Sequence, residues 1–267
     1  MPDADLKGRT VLAVFAHPDD ESLACGGTLA RLSDAGARIV LLCATQGRRG
    51  SIGEANLVPD GDLGRARAAE LQAAAKVLGI AEVILLDYPD GNLRWAYVPE
   101  LHAEIVAAIR EHRADAVITF AEDGLYWHFD HVGVHERSVE AVESLGDAAP
   151  SLYGVTMPLG VMTGLVRAAM AKGWSPPRDG FWSIEPAAFG ILAPRPSLVV
   201  DVTDYVPRKL AALLCHKTQL GTNNPFSRID AADARRLLGT EQFCRANPHI
   251  GCSLLELLGT RAVTGQV

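Results

Sequence analysis

Aromatic residues are scarce in this chain of 267 residues, at 6%, and basic residues are outnumbered, with 25 Lys and Arg against 32 Asp and Glu. A net charge of −7 excludes a broad basic face, so neither nucleic acid nor an anionic membrane surface is the expected partner. No apolar run approaches the ~20 residues that would span a bilayer. Cysteine is confined to five separated positions, Cys25, Cys43, Cys215, Cys244 and Cys252, without a C-x-x-C pair. That spacing argues against a disulfide framework or a zinc knuckle, and free thiols suit a reducing compartment. Met1 to Thr10 lacks the basic-then-apolar pattern of a leader, so a cytoplasmic protein is expected. Also missing is a G-x-G-x-x-G after the first strand-like run, which disfavours a nucleotide-binding Rossmann protein.

What is present is an ordinary globular composition, 48% hydrophobic and 21% charged, with Ala, Leu and Val in short runs. Arg9 to Ala16 is apolar and β-branched and stops at His17-Pro18, as a buried strand would. Ser22 to Ala35 reads as a helix closed by Gly36, with Gly26-Gly27 permitting close packing. Arg38 to Ala44 is a second strand, Thr45 to Asp62 a loop, and Arg65 to Leu78 a helix ending at Gly79. Glu82 to Leu86, Val98 to His112 and Ala116 to Phe120 continue as strand, helix, strand. This alternation predicts an α/β fold: a Rossmann-like, doubly wound, mostly parallel sheet, ordered 3-2-1-4-5. Leu152 to Met157 is the fifth strand and Val161 to Lys172 a helix. Trp174 to Gly180 is a loop, Ala188 to Leu192 and Leu198 to Val202 are strands, and Arg208 to Gln219 is a helix facing the core through Leu210, Leu213 and Leu214. The simplest organisation is a single domain over residues 1–267, with a core at 8–157 and a C-terminal elaboration at 158–267.

Two groups of imidazoles and carboxylates fall at carboxyl ends of strands: His17-Pro18-Asp19-Asp20-Glu21 after the first, and His128-Phe129-Asp130-His131 after the fourth. In the predicted order those strands are neighbours and the chain reverses direction between them, which opens a crevice where such sheets bind ligands. Acidic residues at a helix start often only cap it, and the histidines alone could be surface residues. Converging on one crevice, they offer the N and O donors of an open metal site that leaves room for water.

The same residues carry a resemblance. A-H-P-D-D-E at Ala16 to Glu21 with H-F-D-H at His128 to His131 resembles the PIG-L/LmbE-like deacetylases. These include zinc-dependent N-acetylglucosaminyl deacetylases acting on phosphatidylinositol glycans, mycothiol and bacillithiol precursors, and glycopeptides. Further similarity lies in Arg67-Ala68-Ala69-Glu70-Leu71, Asp87-Tyr88-Pro89-Asp90-Gly91 and His216-Lys217-Thr218-Gln219, the last close to the family's H-x-S-Q. The resemblance implies zinc as the cofactor (iron accepts the same donors), held by His17, Asp20 and His131. It implies Asp19 as general base, and His128 as the group that stabilises the oxyanion or protonates the leaving amine, its ring oriented by Asp130. The implied substrate is a small amino-sugar conjugate that loses its N-acetyl group. A broader amidase acting on a thiol conjugate and a catalytically silent sugar-binding module are the alternatives. Self-association into a homo-oligomer is left open.

The chain departs from the family in three places. Phe129 stands for the usual Pro, Arg48 for the acid of T-x-G-E-x-G in Thr45 to Gly50, and His135 for a small residue. His135 is one helical turn from His131; a helix-surface position is expected for it. Arg48 and Arg49 could clasp an anionic substrate group, and Arg67 is either a substrate contact or a partner of Glu70. Tyr126 and Trp127 are the foremost candidates for a sugar-stacking wall, with Trp95, Trp174 and Trp182 as further members. His216 is implied to line the site.

Overall fold

The computed structural model describes residues 5–50, 52, 57–58, 61–95, 98–178, 180–246, 255, 258 and 261–262. Along the chain run β1 (Thr10–Phe15), α1 (Asp20–Asp34), β2 (Arg38–Thr45), α2 (Leu63–Leu78), β3 (Glu82–Tyr88), α3 (Val98–His112), β4 (Ala116–Phe120), α4 (Gly124–Trp127), α5 (Phe129–Glu143) and β5 (Ser151–Thr156). Then follow α6 (Val161–Ala171), β6 (Leu198–Asp201), α7 (Val206–Leu213), α8 (Lys217–Leu220), α9 (Ala231–Leu238), β7 (Thr240–Arg245) and β8 (Arg261–Ala262). The strands form one sheet in the order β3-β2-β1-β4-β5-β7-β6-β8.

The five parallel strands stand in the predicted order, with β1 between β2 (Val14 beside Leu42) and β4 (Leu12 beside Val117). Val11, Leu12, Ala13, Val14 and Phe15 are all wholly buried because helices cover both faces, which is why the strand reads as a continuous apolar run. Each larger side chain among them contributes about 1.5–3 kcal/mol through burial. Gly27 lets α1 lie close against Val202, whose Cβ would stand 2.7 Å from an added Cβ. Gly79 closes α2 in the left-handed region, at φ 78°.

The second half corrects three expectations. Ala188 to Leu192 is not a strand: Pro186–Ala188 forms a single 3-10 turn, and Gly190, at φ 74°, donates its N–H to the Leu125 carbonyl at 3.0 Å. The apolar run there serves to bury Phe189, not to pair. The helix expected over Arg208 to Gln219 stops at Leu213 and resumes at Lys217, which turns His216 inward. Thr240–Arg245, in which no strand was expected, is β7 and runs antiparallel to both β5 and β6. Its pattern is obscured because a core position is held by Glu241, whose carboxylate accepts from the Gly27 and Thr28 amides and from Lys209 Nζ at 2.6–2.9 Å. Among the described residues no helix is long and apolar enough to cross a membrane.

Candidate metal centre and active site

β1 and β4 end side by side, so the turn after Ala16 and the turn after Ala121 face each other across the switch point. His17 leaves β1 directly. Asp20 opens α1, its Oδ2 accepting the His17 amide at 2.8 Å. His131 lies on the first turn of α5, its ring stacked on Phe120 with centroids 4.0 Å apart. His17 Nδ1 is 3.3 Å from Asp20 Oδ2 and 3.3 Å from His131 Nε2, and His131 Nε2 is 3.2 Å from Asp20 Oδ1. Ligand-capable atoms of His17, His128 and His131 all lie within 4.8 Å of one another, and this group is able to hold a metal ion.

Each of the two closest rings has its far nitrogen engaged. His17 Nε2 meets Asp130 Oδ2 at 3.1 Å, and His131 Nδ1 meets the Gly124 carbonyl at 3.1 Å. These contacts orient both rings, so that His17 Nδ1 and His131 Nε2 are turned toward one point beside Asp20. Positive charge is favoured there. Burial opposes a charge on His17, yet the bonds to Asp130 and Asp20 raise its pKa to about 10. Burial likewise opposes ionisation of Asp20, but His131 and His17 hold it well below the usual carboxylate range.

Asp130 is therefore not the partner of His128 that was expected. Its carboxylate serves His17 and accepts the amides of Gly91 and Leu93 at 2.5 and 3.0 Å. His128 is met instead by the Asp130 backbone N–H, which donates to its Nδ1 at 3.3 Å as a cap on α5. That leaves Nε2 as the protonated nitrogen. Burial and the neighbouring His131 and His17 lower the His128 pKa to about 4, which favours the neutral ring.

Asp19 has an unusual backbone, with φ 120° and ψ −27°, a conformation costing a non-glycine residue about 1–3 kcal/mol. Its side chain makes no cap bond to α1 and lines the cavity instead. Burial raises its pKa to about 6, against the pull of Arg67, whose Nη2 lies 3.1 Å from Asp19 Oδ2. Arg67 is itself buried and donates to the Pro18 and Gly47 carbonyls at 2.6 and 2.9 Å, so it braces the motif from behind. The Glu70 pairing considered for it does not occur: Glu70 accepts from Thr218 N and Oγ1 at 2.8 and 2.6 Å.

His17, Asp19, Asp20, Arg67, His128 and Asp130 border a cavity of about 230 Å³, lined also by Tyr126, Phe181, Arg49, Asp90 and Gln219. Tyr126 enters it from a strained turn in which Leu125 and Trp127 have φ 66° and 63°, and burial keeps its phenol protonated. The aromatic wall differs from expectation. Trp127 is 47% exposed and Trp95 70%, and neither lines the cavity, while Trp174 and Trp182 are buried supports. Phe181 takes the place given to them. Arg48 points outward to Asp87 and Gln46, leaving Arg49 as the arginine of this loop on the cavity wall. His216 is buried behind the cavity, its Nε2 2.8 Å from Glu21 Oε1. His135 is half-buried and bound to the Phe120 carbonyl at 2.8 Å. Sequence reasoning gave no role to Glu21, Asp90 or Phe181, and of the two arginines it offered as a clasp only Arg49 lines the cavity. Glu21 and Asp90 stood inside quoted motifs, whereas nothing local marked Phe181.

Comparison with known proteins agrees with this geometry. Residues 12–142 match the family model PIG-L, GlcNAc-PI de-N-acetylase. The 1D-myo-inositol 2-acetamido-2-deoxy-alpha-D-glucopyranoside deacetylase of Thermobispora bispora is 33% identical, over 88% of this chain and 87% of its own. The fold is shared with N,N'-diacetylchitobiose deacetylase from Pyrococcus horikoshii, at TM-score 0.58 and 21% identity, covering 80% of this chain and 72% of that one. It is shared equally with the 4-carboxy-2-hydroxymuconate hydratase of Pseudomonas putida KT2440, at TM-score 0.61 and 19% identity, covering 92% and 99%. A fold common to a deacetylase and a hydratase does not select the reaction, which must be argued from the site. Identity of one third across most of both sequences does fix the lineage, and this chain belongs to the PIG-L family.

Proposed function

We propose that this protein hydrolyses the N-acetyl group of an N-acetylglucosamine-type conjugate, releasing acetate and a free amine, with a GlcNAc-inositol conjugate as the first substrate to test. The observation that carries the reading is the convergence of two oriented imidazoles and one carboxylate beside a second carboxylate that points into the same cavity. Donors at about 2.0–2.2 Å from a tetrahedral ion stand about 3.3 Å apart; His17 Nδ1 and His131 Nε2 are 3.3 Å apart, and each lies 3.2–3.3 Å from one oxygen of the Asp20 carboxylate, Oδ2 and Oδ1 respectively. The donor set thus fits a divalent cation, and two nitrogens with one oxygen suit zinc. When bound, such an ion polarises the amide carbonyl and makes water acidic enough to attack at neutral pH.

The chain's own residues supply the rest. Asp19, free of the donor triad and ionised above about pH 6, accepts the proton of the attacking water. His128 Nε2–H and the Tyr126 hydroxyl donate toward the oxygen on which negative charge develops, the kind of stabilisation whose loss costs about a hundred- to a thousandfold. Proton delivery to the departing amine falls to Asp19, which holds the water's proton, beside a His128 ring whose surroundings favour its neutral form. Arg49 and Asp90 flank the outer cavity, and Phe181 offers an apolar wall for a sugar face. Residues 158–267 act as part of the same catalytic unit. The test is acetate release from N-acetyl amino sugars with and without chelator: release that zinc restores after chelation is expected, and chelator-insensitive release would overturn the reading. Asp19→Ala is expected to retain metal and lose about a hundred- to ten-thousandfold in turnover.

A further inference from the structure

Glu21 and His216 are wholly buried, and neither lines the cavity. Yet they are joined to its base. Glu21 Oε2 accepts the Asp19 backbone N–H at 3.0 Å, while Glu21 Oε1 receives Ser22 Oγ at 2.5 Å and faces His216 Nε2 at 2.8 Å. An Asp at a helix N-cap ordinarily spends its side chain on the helix amides and keeps an extended backbone. Asp19 does neither. Glu21 reaches back to the N-cap amide, as the acid of a capping box does, and the Asp19 carboxylate is left for the cavity.

We propose that His216, acting through Glu21, is a positioning residue that holds Asp19 in its left-handed backbone conformation and so aims its carboxylate at the substrate. That conformation is held by Glu21 on the Asp19 amide, Arg67 on the Pro18 carbonyl, the Ser22 and Leu23 amides on the Asp19 carbonyl at 3.1 and 3.0 Å, and the Asp20 amide on the His17 carbonyl at 3.3 Å. Only the first depends on a residue from the far end of the chain. His216 is delivered by the break between α7 and α8, and the following residue but one, Thr218, is tied to Glu70 on the helix that carries Arg67. Both supports of Asp19 are thereby anchored to residues 216–218, which gives the broken helix a purpose that packing alone does not require.

The inference rests on Asp19 being the base, and its test separates the two. The amide nitrogen of Gln overlays histidine Nε2, and that of Asn overlays Nδ1, so His216→Gln keeps the bond to Glu21 and His216→Asn does not. The expected result is a kcat about a hundredfold lower in His216→Asn, the scale of an approximately 1 Å misplacement, with KM and bound zinc unchanged, and near-complete recovery in His216→Gln. In crystals of the Asn variant Asp19 is expected to leave the left-handed region, and in the Gln variant to stay there. An equal kcat in the two variants, or an Asp19 backbone unmoved in His216→Asn, would overturn the proposal. The crystallographic result stands whether or not the wild-type protein releases acetate, so failure of the assigned reaction is recognised separately.

Discussion

Asp130 shows how a single side chain joins the two motifs. It belongs to the second, but its carboxylate grips the ring of the first and fixes the orientation of His17. Replacing such a carboxylate typically weakens metal affinity about 10–100-fold. Asp130→Asn should show that loss by calorimetric zinc titration, while the His17 and His131 rings stay in place. As the proposed base, Asp19 is expected to set the acid limb of the rate profile. A carboxyl raised to about 6 is a base above that pH and is lost as pH falls through it. A bound cation can only lower that value, so the limb of kcat/KM should lie at or below pH 6. Removing the charge that opposes burial, by Arg67→Met, should move the limb to higher pH.

At the scale of elements, the site depends on close approaches that glycine permits. α1 carries Asp20 and Glu21 and lies tightly against Val202 because Gly27 has no side chain; an added Cβ would also meet Glu241 Oε1 at 3.1 Å. Gly27→Val should therefore destabilise by about 1–3 kcal/mol, as overpacking does, seen as a lower denaturant midpoint with an unchanged slope. The α7–α8 break teaches the opposite lesson. Hydrophobic periodicity favoured one helix from Arg208 to Gln219, but a buried Glu21 required a partner, and meeting it outweighed continuing the helix.

For the whole molecule, the proposed cation site predicts a coupling of metal binding to folding. Only the folded chain brings residues 17 and 131 together, so zinc at a hundred times its Kd should add about 2.7 kcal/mol of stability, or about 5–10 °C in Tm. A Tm that zinc does not move, or that it moves equally in His17→Ala, would contradict a shared site.

The parallel half of the sheet, its order and both motifs were legible in the sequence because they are local: buried strands are continuous apolar runs, and strand ends carry the reactive residues. Tertiary structure alone decided which groups pair. Asp130 with His17, Glu21 with His216 and Glu70 with Thr218 join residues separated by 113, 195 and 148 positions. No local pattern encodes such partners, since each polar group buried by folding must find its complement among whatever the topology brings within hydrogen-bond reach. For the same reason β7, whose core position is an ion-paired glutamate, was invisible until Lys209 and α1 were seen around it.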